Sequence, residues 1–380
     1  MTPFVIGFFI ISISALCCRY GINKENNKKI FLGISFLILF VLMGFRSPLM
    51  GTDSTMYNNI FMRVGQQSSL KNALDVSGIS APGYVLFCRV AYVFFQNYQA
   101  RILGTSFIIL VGVFRYIKKS SNNIYLSVML FITLTFYVQS YNISRQYMAV
   151  AILLNAFVEW YENKKSILGW ILFIIAISFH TTAIVGIAVW FLIDNKIDYN
   201  NKKEIRKLVL KSTVLGIIVI ASQTQLLNLF LQLFPVYGNY FGGKALNQFN
   251  DQGQGRTIII IFGYLAMVIY CFILLGKKRE CNNERNLAGE QLPIMLFAVI
   301  IGILGASYPT VLRMNIFFTI TAITFIPNTL ALARSSNKRI LTWVTLFLTF
   351  IFLELINKEG ERKNGKNKIS YEKHFSFCVR

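Results

Sequence analysis

The chain has 380 residues, of which 55% are hydrophobic and 14% charged, and its mean hydropathy is +0.54. A soluble domain carries about 25% charged residues, so this composition excludes an ordinary soluble protein and indicates a polytopic membrane protein. The net charge of +22 does not point to nucleic acid, because the basic residues concentrate in short loops between apolar runs, the pattern that sets membrane orientation.

The apolar runs approach the ~20 residues that a helix needs to cross a bilayer. They lack the alternation of barrel strands, and backbone polar groups in lipid must be satisfied internally, so helices are predicted. We predict an all-α fold, a polytopic transmembrane helix bundle of about 11–13 spans with a large extracytoplasmic loop. The predicted spans lie at about 3–18, 30–45, 82–98, 101–117, 124–139, 143–158, 166–179, 181–193, 208–222, 257–276, 291–307, 314–333 and 340–356.

These spans predict a single integral membrane domain over residues 1–356, followed by a basic polar tail at 357–380. The domain is expected to carry outward loops at about 46–80 and 223–256. The second loop mixes aromatic residues with Asn and Gln, which is typical of sugar-binding surfaces and equally of a polar lid.

Basic loops fix the predicted orientation of the middle of the chain. The loops at 118–119, 159–165, 194–207 and 277–285 are basic and should be cytoplasmic. The turns between them then face outward. This places four residues on one side of the membrane: Arg145, His180, Arg256 and Arg313.

In the N-terminal part, the number of predicted spans conflicts with the positions of the basic loops. A cytoplasmic basic loop at 24–29 places Arg46 and Asp53 outside, but two full spans at 82–98 and 101–117 would then carry the next basic loop outside as well. We therefore expect segment 82–98, which opens with Pro-Gly, to be re-entrant or not to span. Non-helical backbone at that depth is tolerated where protein surrounds it.

A polar phrase, FRSPLMGTDSTMYNNIF, follows the second span. Its Pro and Gly break the helix, and Thr52 or Asp53 is a suitable N-cap for the helix that restarts. Asp53 and Tyr57 are four residues apart and would share one helix face. A purely structural alternative is that Asp53 only caps the helix and Arg46 only anchors the interface.

Two further phrases, NISRQYMA and SFHTTA, carry Arg145, Gln146 and His180. The planar guanidinium of Arg145 suits a phosphate or carboxylate, although it could instead reach lipid headgroups. His180 is naturally poised to titrate near neutral pH, although a histidine here could equally be a hydrogen-bonded turn residue. There is no DxD, HExxH or CxxC motif, so we expect neither a metal nor a cofactor, and arginines would have to neutralise any diphosphate.

Four motifs in order carry a family resemblance. They are an Arg followed by Gly-Thr-Asp and a Tyr, then Gly83-Tyr84, then Asn-x-x-Arg-Gln at 142–146, then Phe-His-x-Thr-Ala at 179–183. Over about residues 30–320 this pattern resembles the EpsG family, bacterial polysaccharide polymerases of the Wzy type. The family often has an acid just before the Gly-aromatic pair, where this chain has Ala81-Pro82, so no residue here can carry a base role for that acid.

The resemblance implies glycosyl transfer between undecaprenyl-diphosphate-linked oligosaccharides on the outer face of a bacterial plasma membrane, yielding O-antigen, capsule or exopolysaccharide. Arginines would stabilise the diphosphate leaving group, and a base would deprotonate the acceptor hydroxyl. A flippase and a chain-length regulator of the same pathway are possible partners. The expected catalytic residues are Asp53, His180 and Arg145, and the expected substrate-binding residues are Arg46, Tyr57, Gln146, Arg256 and Arg313.

Two other classes of protein remain open from the sequence. A flippase or exporter of lipid-linked oligosaccharide would also be polytopic and lined with arginines, but no repeat symmetry of the transporter kind is evident. A membrane acyltransferase acting on sugar hydroxyls would also use a histidine near the membrane, but would require more acidic partners than this chain offers.

Overall fold

A computed structural model describes residues 2–20, 24–193 except 49 and 52, 201–222, 254–275, 286–305 and 309–333, with isolated positions at 225, 228 and 232. The described part is all-helical and contains no strand, which confirms the predicted fold class. Its α-helices are α1 Thr2–Tyr20, α2 Lys24–Gly44, α3 Ser54–Gly65, α4 Leu70–Ser77, α5 Pro82–Phe94, α6 Tyr98–Ser120, α7 Ile124–Thr133, α8 Phe136–Asn142, α9 Ser144–Glu162, α10 Ile167–Phe179, α11 Ile187–Leu192, α12 Lys202–Ala221, α13 Gln254–Leu275, α14 Leu287–Gly305, α15 Pro309–Thr319 and α16 Ala322–Ala331. A 3₁₀ helix, Thr181–Gly186, connects α10 to α11.

Two described helices are long and apolar enough to cross a membrane, Glu25–Gly44 and Tyr98–Ser120, and the number rises to five if each of three bent helix pairs forms one span. Five further apolar helical stretches, Ile6–Cys18, Ile167–Phe179, Thr181–Leu192, Ile259–Leu275 and Leu287–Ile303, have 10–17 residues with described side chains. The count of about 11–13 spans therefore stays a prediction. The predicted run at 124–139 shows why: Thr135 adopts φ 68 and separates α7 from α8 with a bend of 47°.

The predicted outward loop at 46–80 is not a simple loop, because α3 and α4 lie within it. Its helical restart after the Gly-Thr-Asp phrase was predicted, whereas α4 was not. The second predicted loop, at 223–256, and the tail at 357–380 lie almost wholly outside the described residues.

The core forms around α9, which packs against α6 and α10. Small residues allow the backbones of α6 and α9 to approach closely, as helix pairs in membranes require. A Cβ on Gly112 would lie 2.7 Å from the carbonyl oxygen of Ala151, so this crossing tolerates only glycine on α6. The side chain of Ala149, one turn after Arg145, is also fully buried.

One end of the bundle brings together two of the loops that were predicted to be cytoplasmic. Lys119 Nζ lies 3.7 Å from Glu162 Oε1, which joins the end of α6 to the end of α9. The backbone N–H of Asn122 donates to Asn328 Oδ1 at 2.8 Å, which brings α16 to the same end. The two basic loops at 118–119 and 159–165 therefore lie together, as a common membrane side requires.

The opposite end, which we call the site end, is where α2 ends and α6 begins. The side-chain amide of Gln99 in the first turn of α6 donates to the carbonyl of Gly44. Helices α3, α4 and α5 pack on one another there, and α4 and α5 meet at an angle of 117°. Arg89 of α5 donates to the carbonyls of Gln67 and Ser69, both at 2.8 Å. This bend fits either a broken span or a re-entrant loop, so the re-entrant course of segment 82–98 stays a prediction.

Candidate functional site

The four sequence motifs, around 46–57, 83–84, 142–146 and 179–183, lie close together at the site end. Gly51 adopts φ +111, and a Cβ there would lie 2.9 Å from the carbonyl oxygen of Tyr141 and 3.1 Å from Asn142 Oδ1. Gly83 presses against Ser178 and Phe179, where a Cβ would collide with the serine side chain. Each glycine thus permits a close approach between two of the four phrases.

His180 lies at the junction between α10 and the 3₁₀ helix and is partly buried. Its pKa falls to about 3, mainly because burial disfavours the charged ring, with further contributions from the positive charges of Arg145 and Arg313. His180 is therefore neutral at pH 7. Its Nδ1 lies 2.6 Å from the hydroxyl of Thr182, which is itself buried.

Arg145 and Arg313 come from different helices but act on the same histidine. Gln146 makes this possible, since its buried side-chain amide donates to the backbone carbonyl of Arg313 at 2.6 Å and ties α9 to α15. Helix α15 also packs against the 3₁₀ helix that follows His180. Arg145 is partly buried, whereas Arg313 is exposed. The expected grouping of Arg145, Gln146, His180 and Arg313 is therefore present.

Tyr57 lies beside this group and is 4% exposed. Its pKa rises to about 12, chiefly through burial; the positive charge of Arg145 opposes the rise and the carboxylate of Asp53 adds to it. Asp53 occupies the N-cap position of α3, as predicted, but its side chain forms no capping hydrogen bond. Helix α3 thus places Asp53 and Tyr57 at the edge of the arginine group.

Arg46 is held within the protein. It is 5% exposed, its Nη1 donates to the carbonyl of Met43 at 3.0 Å, and its guanidinium carbon lies 4.7 Å from the ring centroid of Tyr141. Burial lowers its pKa to about 10. Arg46 therefore joins the end of α2 to the end of α8. Its expected contact with substrate stays a prediction.

One arginine of the site end was not selected from the sequence. Arg101, near the start of α6, is 1% exposed, and the sequence predicts it only as the first residue of the span 101–117. Its Nη2 donates to Asn58 Oδ1 at 2.7 Å, and its guanidinium carbon lies 5.8 Å from the ring centroid of Tyr57. A charged residue at the head of an apolar run was the signal that could have identified it.

The last of the expected substrate-binding residues, Arg256, lies in the first turn of α13, but its side chain is outside the described residues. An open groove lined by Met56, Asn59, Met62, Arg63 and Tyr98 runs along the face of α3 opposite to Tyr57. Among the residues that the structure describes, no group of three or more His, Cys, Asp or Glu side chains could hold a metal ion.

The fold and the site define a helical membrane protein in which separate sequence motifs assemble a cationic centre. The model of the EpsG family matches residues 29–371, nearly the whole chain, and the chain belongs to this Wzy-type polymerase-like family. The match extends past residue 320, where the motif resemblance stopped. No curated protein and no solved structure matches the chain.

Proposed function

We propose that the protein is a membrane glycosyltransferase that polymerises undecaprenyl-diphosphate-linked oligosaccharide repeat units into a cell-surface polysaccharide. Family membership supports a polysaccharide polymerase-like membrane protein. The observation that carries the finer proposal is the convergence of Arg145 and Arg313 on a neutral His180 at one end of the bundle. We place the reaction on the outer face of a bacterial plasma membrane; the basic loops at 118–119 and 159–165, which lie together at the other end, support this orientation.

The chemistry requires charge stabilisation where the leaving group departs. The anomeric C–O bond to the diphosphate breaks, its electron pair stays on the diphosphate oxygen, and the acceptor hydroxyl oxygen forms the new glycosidic bond. Preorganised guanidinium groups stabilise the negative charge that develops on the diphosphate. Arg145 and Arg313 carry this role, and Arg256 is a further candidate.

The acceptor hydroxyl must lose its proton to a base. His180 is one candidate because it is neutral at pH 7 and has a lone pair to accept the proton, and the negative charge of a bound diphosphate would raise its pKa from about 3 towards the working pH. If Nδ1–H donates to the Thr182 hydroxyl, the lone pair of Nε2 is left to accept the proton. Asp53 is the second candidate base. Tyr57 and Gln146 position the reacting groups, the latter through Arg313.

A strain that depends on this gene tests the proposal against the transport alternative. Deletion should remove long-chain polysaccharide and leave a single-repeat glycolipid accessible on the cell surface, because a polymerase acts after the lipid-linked unit has crossed the membrane. A flippase or exporter would instead leave that glycolipid inside the cell, and an acyltransferase would leave chain length intact. Either of these results would refute the proposed polymerisation.

A further inference from the structure

A second cationic feature of the site end lies around Arg101, which is more fully buried than Arg145 and His180. Arg101 is 1% exposed, yet among the described residues no carboxylate lies within salt-bridge distance of it. Its one side-chain hydrogen bond is to the neutral amide of Asn58, at 2.7 Å. Burying a cation without a counter-charge is costly, so this arrangement requires a compensating ligand or a functional reason.

The unsatisfied groups around Arg101 are all donors. Arg101 Nε and Nη1 and Arg145 Nε are buried and have no hydrogen-bond partner, and the buried hydroxyl of Tyr84 has only the thiol of Cys88 beside it. Tyr84 is fully buried, its ring centroid lies 6.0 Å from that of Tyr57, and the charges of Arg101 and Arg145 both act on it. Arginine side chains have donors and no acceptor, and a tyrosine hydroxyl can donate as well. The complement of such a set is an acceptor-rich anion.

The other fixed contacts hold Arg101 in place. Asn58 Nδ2 donates to the carbonyl of Pro48 at 3.0 Å, so its Oδ1 is oriented towards Arg101. The Tyr57 ring lies beside the guanidinium. Residue 101 is also close to the N-terminus of α6, where the helix dipole disfavours a cation. An arginine at position 101 therefore does not stabilise α6. Its contacts with Asn58 and Tyr57 of α3 must have another function.

We infer that Arg101, held in place by Asn58, forms with Tyr84 a buried oxyanion site that takes a phosphoryl group. Phosphate oxygens accept several charge-assisted hydrogen bonds from guanidinium groups, which suits the unpartnered nitrogen atoms here. The presence of a phosphoryl site stands on these contacts alone. Its assignment to a lipid-linked diphosphate, as opposed to free phosphate, rests on the proposed function.

Thermal unfolding of the purified full-length protein in detergent tests the site, with inorganic pyrophosphate as the probe. Wild type should melt at a higher temperature with pyrophosphate, because a ligand that binds only the folded state stabilises it. Arg101→Gln should lose most of that rise while melting without ligand at or above the wild-type temperature, since the buried charge is gone. Asn58→Asp, which supplies an internal carboxylate to Arg101, should also lose most of the rise.

Arg115→Gln is the matched control on the same helix. Arg115 donates to Glu159 at 2.7 Å and to Asn155 at 2.6 Å, so it is an arginine with internal partners. Its replacement should lower the melting temperature and leave the pyrophosphate rise intact. The inference is overturned if wild type shows no rise, if Arg101→Gln or Asn58→Asp keeps it in full, or if Arg115→Gln loses it equally.

A second arm uses a short-chain isoprenyl diphosphate in place of pyrophosphate. A site that receives lipid-linked diphosphate should give the same rise at a lower concentration of this probe; equal concentrations would overturn the lipid assignment and leave the phosphoryl site standing. Failure of the binding arm is separable from failure of the proposed function, because the polysaccharide phenotype of the deletion strain does not depend on Arg101.

Discussion

The side chain of Gln146 donates to the backbone carbonyl of Arg313 at 2.6 Å, which joins the start of α9 to the first turns of α15. This hydrogen bond links the segments that carry two arginines, Arg145 and Arg313, whose charges both act on His180. Position 146 thus affects the site through the placement of its neighbours, without itself carrying charge.

Gln146→Leu should shorten the polysaccharide, because the part-buried hydrogen bond to the carbonyl of Arg313 is lost and α15 is released from α9. A lost buried hydrogen bond costs about 1–3 kcal/mol, so we expect a partial defect compared with Arg313→Ala. The measurement is chain length by gel, with protein quantity in the membrane as control. Wild-type chain lengths at equal quantity would show that this link is not needed.

Gly51→Ala should destabilise the protein strongly, because φ +111 disfavours any side chain and the added Cβ would meet the backbone at Tyr141. The two effects together are expected to cost about 2–5 kcal/mol. Gly78→Ala is the matched control: its φ is +67, but nothing lies within 4 Å of the added Cβ. It should cost only about 1–2 kcal/mol. Equal melting temperatures for the two variants would remove the close approach as the cause.

The stability of the protein should fall as pH is lowered from 6.5 towards 3, with a contribution from His180. Its pKa in the folded protein is lowered to about 3 from an ordinary 6.5. Between these values the unfolded chain binds the proton and the folded protein does not, so protonation favours unfolding. His180→Gln should unfold with a weaker pH dependence between these values. An identical pH slope in wild type and variant would show that His180 is not held neutral.

Thr182→Val should reduce the rate of polymerisation by about tenfold or more, because the hydroxyl 2.6 Å from Nδ1 fixes the tautomer and orientation of the His180 ring. Thr182→Ser keeps the hydroxyl and should retain most of the activity. The rate is measured on lipid-linked repeat units in isolated membranes. A serine variant as impaired as the valine variant would indicate a packing role for the threonine methyl group.

The sequence predicted the fold class because apolar runs in a chain with few charges leave only helices. It could not give the breaks, since these depend on local backbone conformation such as that of Thr135 and on how short helices pack end to end. The expectation that segment 82–98 does not cross fully came from counting basic loops. The bend of 117° between α4 and α5 lies just before this segment and fits either a broken span or a re-entrant loop.

For the candidate site, the order of basic loops was enough to expect Arg145, His180 and Arg313 together. Arg101 was missed because hydropathy treats it as one charge at the edge of an apolar run, and only the packing of α3 over α6 shows that it is buried. The engagement of Arg46 with Met43 and Tyr141 was likewise invisible, since it depends on the contact between α2 and α8.

The most direct test of the account is the surface polysaccharide made by a deletion strain that carries Arg145→Lys, analysed by gel beside wild type and Arg115→Lys. Lysine keeps the charge and removes the planar donor fork, so the account predicts loss of long chains and accumulation of single repeats for Arg145→Lys alone. Asp53→Asn and His180→Ala are assayed in parallel to identify the base. Normal long-chain polysaccharide in all three site variants would contradict the account.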